Sequence, residues 1–210
     1  MLLDENVVEK HSYKTFEFPL TFKFKIGTLA NDFIATDANE NTLAYVRQKM
    51  FKFKEAVQVY NNDSKSNVLY TINANKVIDW SASYFFTNSE GSQIGHVGRK
   101  GFKSLWKAHY EIFDENGTSD FIIQEENPMA KVFDALLSEI PLLGIFTGLL
   151  FNPRYGVKHN QGETVVRLSK KASFFGRKFE VQKLGDLNPG DDERILLSLM
   201  MMSLLERRRG

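Results

Sequence analysis

The amino-acid sequence predicts a mainly β protein: a closed antiparallel barrel of about 12 strands around a central hydrophobic C-terminal helix, with one additional amphipathic helix. Three observations predict it. Apolar residues alternate with polar ones in many short runs, and clusters of turn residues recur between those runs at a nearly constant interval. The chain then closes on an apolar helix that has no polar face.

The alternation begins in "FEFPLTFKFKI", where Phe16, Phe18, Leu20, Phe22, Phe24 and Ile26 fall at period two with Glu17, Thr21, Lys23 and Lys25 between them. The pattern predicts a half-buried strand pair. Pro19 has no ladder donor, so an edge position or a bend is expected there. Strand-like runs follow at Phe33 to Thr36, Thr42 to Lys49, Val57 to Asn61, Val68 to Asn73, Ser83 to Asn88, Ile94 to Gly98 and His109 to Asp114. The turns "ATDANEN", "VYNNDSKSN", "FFTNSEGSQ" and "IFDENGTS" separate them, and Asp37, Asn62, Asn88 and Asp114 stand 25, 26 and 26 residues apart. That interval is the length of a two-strand hairpin with its connections, so the body reads as a hairpin array. Asn116-Gly117 is a turn dipeptide in its own right.

The additional helix interrupts the array. Asn127 caps it, Pro128 suits its first position, and Met129, Val132, Phe133, Leu136, Leu137 and Ile140 repeat at helical spacing until Pro141. An apolar segment to Phe151 follows, and strands resume at Thr164 to Ser169 and Arg177 to Lys183. The last stretch, "DDERILLSLMMMSLLERRRG", has only Ser198 and Ser203 as polar residues between Ile195 and Leu205, so something apolar must enclose it. A barrel of about eight strands is filled by its own side chains, whereas one of about eleven or twelve has room for a helix on its axis. Asp191, Asp192 and Glu193 complement the helix dipole at one mouth, and Arg207, Arg208 and Arg209 at the other. The expected organisation is an N-terminal extension over 1–14 and a single barrel domain over 15–210. Within that domain, 128–151 is a helical and apolar insertion and 191–209 the central helix.

The order of a hairpin array, a strand such as "KFEVQKLGDL", a turn and an apolar terminal helix resembles the LURP-one-related family over about residues 15 to 207. That family shares the tubby C-terminal-like fold with the phospholipid scramblases. The resemblance implies a closed antiparallel barrel around a central helix, in a family whose members are associated with lipid or phosphoinositide contact, with plant defence, or with no known activity.

Composition narrows the function classes. The chain has 210 residues, 42% hydrophobic and 25% charged, with 18 Phe, so it can build a sizeable core and is neither disordered nor membrane-embedded in composition. A net charge of +1 removes the whole-molecule case for a nucleic-acid partner. Without cysteine there is no disulfide and no thiolate chemistry. Asp4 and Glu5 stand where a signal peptide needs positive charge, so a cytoplasmic protein is expected, peripheral at the membrane if it contacts lipid. Ile195 to Leu205 and Ile140 to Phe151 reach only roughly 16 to 18 Å as helices against a hydrocarbon core of about 30 Å, so no transmembrane span is expected.

Two basic-aromatic repeats carry the chemistry. "FKFK" occurs at Phe22 to Lys25 and again at Phe51 to Lys54, which puts Lys23 and Lys25, and Lys52 and Lys54, on the outer wall if the Phe face inward. Each pair is about 7 Å apart along its strand and is a candidate for anionic phospholipid or phosphoinositide head groups. The plainer reading is that a barrel wall simply needs a charged outside. Leu142, Leu143, Ile145, Phe146, Leu149 and Leu150 are candidates for contact with a protein partner or a membrane, unless they plug a barrel end. "GSQIGHVGRKG" fits neither phosphate-loop pattern and reads as turn and strand glycines. The acidic group Asp186, Asp191, Asp192 and Glu193 does not reproduce a calcium loop, and the four histidines have no ligand spacing. No catalytic residue, metal or cofactor is assigned. The expected function is a non-enzymatic binding or scaffold module for anionic head groups. The alternative is an interaction or regulatory protein acting through 128–151, and a hydrolytic enzyme ranks third.

Overall fold

A strand with one apolar face must bury that face, and here twelve such strands bury theirs against one another and a helix. The computed structural model describes residues 16–25, 30–49, 56–75, 82–99, 109–126, 153–160, 162–171 and 177–207. Among them are β1 (Leu20–Phe24), β2 (Ala30–Thr36), β3 (Thr42–Lys49), β4 (Val57–Tyr60), β5 (Val68–Ala74) and β6 (Ser83–Asn88). The second half contributes β7 (Gln93–Arg99), β8 (His109–Phe113), β9 (Ser119–Glu125), β10 (Arg154–His159), β11 (Thr164–Lys171), β12 (Lys178–Lys183) and the helix α1 (Asp191–Arg207). The strands pair in sequence order, each antiparallel to the next, and β12 returns to β1 to close the barrel. At the seam Leu20 lies opposite Val181 and Phe22 opposite Phe179.

Alternation decides which side chains enter. Leu20, Phe22 and Phe24 of β1, Phe33 and Ala35 of β2, and Val166 and Leu168 of β11 are buried inside. Phe33 packs against Phe22 and Phe24 at centroid distances of 5.4 and 4.8 Å. Large aromatics thus fill the β1–β2 side, and among the described residues α1 lies closest to β6, β7 and β8. Gly95 of β7 permits that approach. A β-carbon there would lie 2.4 Å from the Phe113 carbonyl oxygen and 3.0 Å from Cδ of Arg194 on the helix.

The repeat of Asp37, Asn62, Asn88 and Asp114 is a repeat of turn geometry. Each residue's carbonyl accepts from the N–H three residues on, at 3.1, 3.3, 3.1 and 3.2 Å. The residue that donates has positive φ in all four turns: Glu40 at 63°, Lys65 at 58°, Gly91 at 85° and Gly117 at 83°. At Asp37, Asn88 and Asp114 this is the three-residue hairpin loop, a type I turn followed by a left-handed position, whereas the β4–β5 loop is longer and is closed by Asn61 N donating to the Asn67 carbonyl at 3.1 Å. A one-residue register slip precedes each turn, between Ala35 and Thr36, Val59 and Tyr60, Phe86 and Thr87, and Ile112 and Phe113. Side chains lock the geometry. Asp37 Oδ1 accepts from Asn39 N and Asn41 N, Asn88 Oδ1 from Glu90 N and Ser92 N, and Asp114 Oδ1 from Asn116 N and Thr118 N.

The last helix is enclosed as its sequence requires. Ile195 to Leu204 are all buried, and Leu199 and Leu204 have no exposed surface. Its two buried serines each donate back along the helix, Ser198 to the Arg194 carbonyl and Ser203 to the Leu199 carbonyl, both at 2.8 Å. Neither hydroxyl therefore needs water or a partner from the wall. No helix among the described residues is long and apolar enough to cross a membrane.

Pro19 lies in a bend, one of the two expected placements, and is joined to Phe18 by a cis peptide bond. Two expectations change. Phe16 and Phe18 are not a strand of their own: β1 starts at Leu20, while those rings pack against the core from the segment before it. Two strands, β9 and β10, stand where no run was expected. The amphipathic helix expected from Met129 to Ile140, and the rest of 128–151, lie outside the described residues.

Candidate functional site

Lys23 leaves β1 on the outer wall, since Phe22 and Phe24 on either side are buried, and it is exposed. Its partner across the seam is Lys178 of β12, and the partner of Lys178 on the far side is Lys171 of β11. The alternation of each strand turns all three side chains outward. Three lysines from three strands therefore form one row, with neighbouring Cα atoms about 5 Å apart. Lys171 Nζ pairs with Glu180 at 2.8 Å, whereas neither Lys23 nor Lys178 has an ion pair among the described residues. Like charges directly opposite are unfavourable by roughly 0.2 to 1 kcal/mol, so the row has an unmet need for an anion.

Lys25 behaves differently. Its ammonium lies 4.8 Å from the centre of the Tyr45 ring and 3.8 Å from Asp63. The β4–β5 turn folds over the wall here and brings Lys65 to 5.4 Å from the same ring. Tyr45 is buried although it points outward, and its hydroxyl donates to Asp32 Oδ2 at 2.5 Å. Burial, then the bond to Asp32, push the phenol up to about 12. The second repeat, with Lys52 and Lys54, lies outside the described residues, as do Leu142, Leu143, Ile145, Phe146, Leu149 and Leu150. Among the expected lysines, then, Lys23 and Lys25 share the β1 wall.

The opposite charge gathers where α1 enters the barrel. A cleft of about 620 Å³ opens there between the β6–β7 and β8–β9 turns and the start of the helix, lined by Glu90, Asp114, Glu115, Asp120, Glu193 and Arg194 among others. The acidic start of α1 is consumed internally. Arg194 bridges Asp120 at 2.8 Å and Asp191, Glu193 accepts from the Tyr70 hydroxyl, and Asp192 lies 3.4 Å from Lys183. Burial works against the Arg194 charge, but Asp191 and Asp120 outweigh it and hold its pKa above the ordinary value. The Asp114 carboxylate is held below its usual range, first by the Thr118 N–H. Among the described residues no group of three His, Asp or Glu could hold a metal ion. Gly91 takes a turn position, and Gly95 and Gly98 lie within β7, as the glycine-rich stretch suggested. Of the histidines, His96 lies on the outer wall, stacked between Phe85 at 4.7 Å and Phe113 at 4.3 Å.

Lys171 and Lys178 were missed by sequence reasoning, although a signal existed. Both occupy polar positions of alternating strands, on either side of one connection, and an antiparallel hairpin pairs such positions. Their meeting with Lys23 depends on closure of the seam, which no local pattern displays.

A family model described as LURP-one-related matches residues 42–202, from the start of β3 to near the end of α1. No curated protein and no solved structure matches the chain. The match covers well over half of the sequence and takes in ten of the barrel strands with most of the enclosed helix. The chain belongs to the LURP-one-related family.

Proposed function

We propose that the protein is a non-enzymatic binding module that docks on anionic lipid head groups, phosphoinositides included, through the outer wall of β11, β12 and β1. The observation that carries this reading is the row Lys171, Lys178 and Lys23, two of whose members have no ion pair among the described residues. Each lysine near an anionic leaflet contributes about 1 kcal/mol, so the two without an ion pair contribute about 2 kcal/mol, roughly thirtyfold in partitioning. Such attraction weakens as salt shortens the Debye length. On this reading the protein works in the cytoplasm, at a membrane surface, and carries out no turnover.

Flotation with phosphatidylserine vesicles tests it. Wild-type protein is expected to float at low salt and to be released as salt rises. Lys23→Glu with Lys178→Glu is expected to abolish flotation while leaving the melting temperature close to wild type, because both side chains are exposed. Equal flotation of the double variant would refute the reading. Screening against esters and phosphate esters is expected to give no activity that a histidine substitution removes.

A further inference from the structure

We propose that Lys25 and Lys65, converging on the Tyr45 ring, form a subsite for a phosphate monoester, and that Asp63 occupies it until the ligand arrives. The proposal rests on the reading of this wall as an anion-binding surface and names the chemistry that one part of it selects.

Two ammonium groups approach one ring, at 4.8 and 5.4 Å from its centre. The ring attracts each of them, yet their mutual repulsion opposes the arrangement unless an anion joins it. Asp63 is the carboxylate in reach, 3.8 Å from Lys25, and its side chain is 66% exposed. A contact that long and that wet holds weakly. Asp32 does not serve, because its carboxylate is buried against the Tyr45 hydroxyl and its strand partner is Arg47. The charges around the ring thus include two lysines over its face, Arg47, one loosely held aspartate and one aspartate turned to the phenol.

The backbone supports the same conclusion. Lys65 occupies the left-handed position of its turn at φ 58°, where the β6–β7 and β8–β9 turns have Gly91 and Gly117. A β-carbon is disfavoured there, and what the lysine provides in exchange is an ammonium laid over the wall beside Lys25. Asp63 lies two residues away in the same turn, so displacing it requires rotation of one exposed side chain and no movement of a strand.

A phosphate monoester carries about −1.5 to −2 at neutral pH and three acceptor oxygens, enough to engage both ammonium groups at once. A phosphodiester carries a single charge and gains less over Asp63. Lys23 lies about 7 Å from Lys25 along β1, so one head-group layer can meet the lysine row and this subsite together.

Titration of the labelled protein with inorganic phosphate, followed by amide chemical shifts, tests the subsite without a membrane. The expected shifts centre on Asp63, Ser64 and Lys65. Lys65→Gln is expected to weaken binding about tenfold and Asp63→Asn to tighten it about threefold. Equal affinities in wild type and both variants would overturn the proposal. Vesicles separate the sources and the two readings. Phosphatidic acid, a monoester, is expected to bind more tightly than phosphatidylserine, a diester, and Lys65→Gln is expected to erase that preference while leaving phosphatidylserine binding intact. If both vesicles bind equally and ignore Lys65→Gln, the subsite is wrong and the lysine row stands. If neither vesicle binds but phosphate still shifts Lys65, the membrane reading fails, and the subsite stands as one for a soluble monoester.

Discussion

Gly95 is pressed between the neighbouring strand at Phe113 and the helix side chain of Arg194, and its place in a glycine-rich stretch conceals that role. Its φ of 142° and the carbonyl 2.4 Å from an added β-carbon leave no relaxed position for a side chain. Gly95→Ala is expected to destabilise the fold by about 2 to 4 kcal/mol, read as a fall in the urea midpoint. His96, one residue on, faces the other way. Burial between two phenyl rings disfavours its charged form and lowers its pKa, with Asp114 opposing in part. The unfolded chain takes up a proton near pH 6.5 and the folded one does so only at lower pH, so stability is complete above about 6.5 and declines as pH falls below it. Urea melts at about pH 7.5 and about pH 5.5 are expected to show that decline, and His96→Phe, which keeps the stack, is expected to remove that part of it.

The hairpins divide the legible from the hidden. Asp37, Asn62, Asn88 and Asp114 announce the turns because short polar side chains bond the next backbone N–H groups, a local act that composition records. The left-handed residue three positions on is legible only where it is glycine. Glu40 carries the same strain without an ammonium to place, so Glu40→Gly is expected to stabilise the protein by about 0.5 to 1 kcal/mol, raising the melting temperature by about 2 °C. Strands β9 and β10 escaped for a different reason. In "SDFIIQE" the inward positions are Phe121, Ile123 and the buried Glu125, with Ile122 apolar on the outside, so period two is lost. In "RYGVKH" only Tyr155 and Val157 mark the inward face among apolar side chains. The reverse error arose at Phe16 and Phe18, where alternation continues past the ladder because the rings cover a barrel mouth. The central helix was legible from Asp191 to Arg207, since a helix with no polar side specifies its surroundings, while Arg208 and Arg209, expected at its far end, lie outside the described residues.

The molecule as a whole sets charge where no single strand does. Closure brings residues 23, 171 and 178 to one row, and the turns at the helix mouth bring Glu90, Asp114, Glu115 and Glu193 to one cleft. The near-zero net charge of +1 therefore conceals a basic wall and an acidic mouth. The alternation of β1 marked Lys23 and Lys25 as outward, but the register that gives Lys23 its neighbours belongs to the seam. Lys178 is accordingly the most informative position. The most direct measurement is the partitioning of Lys178→Glu onto phosphatidylserine vesicles across a range of salt, beside Lys158→Glu on β10 as a charge-matched control. A loss of at least tenfold at low salt for Lys178→Glu, with a shallower salt dependence and little change for Lys158→Glu, is expected if the row binds the surface. Equal partitioning of the two variants would contradict it.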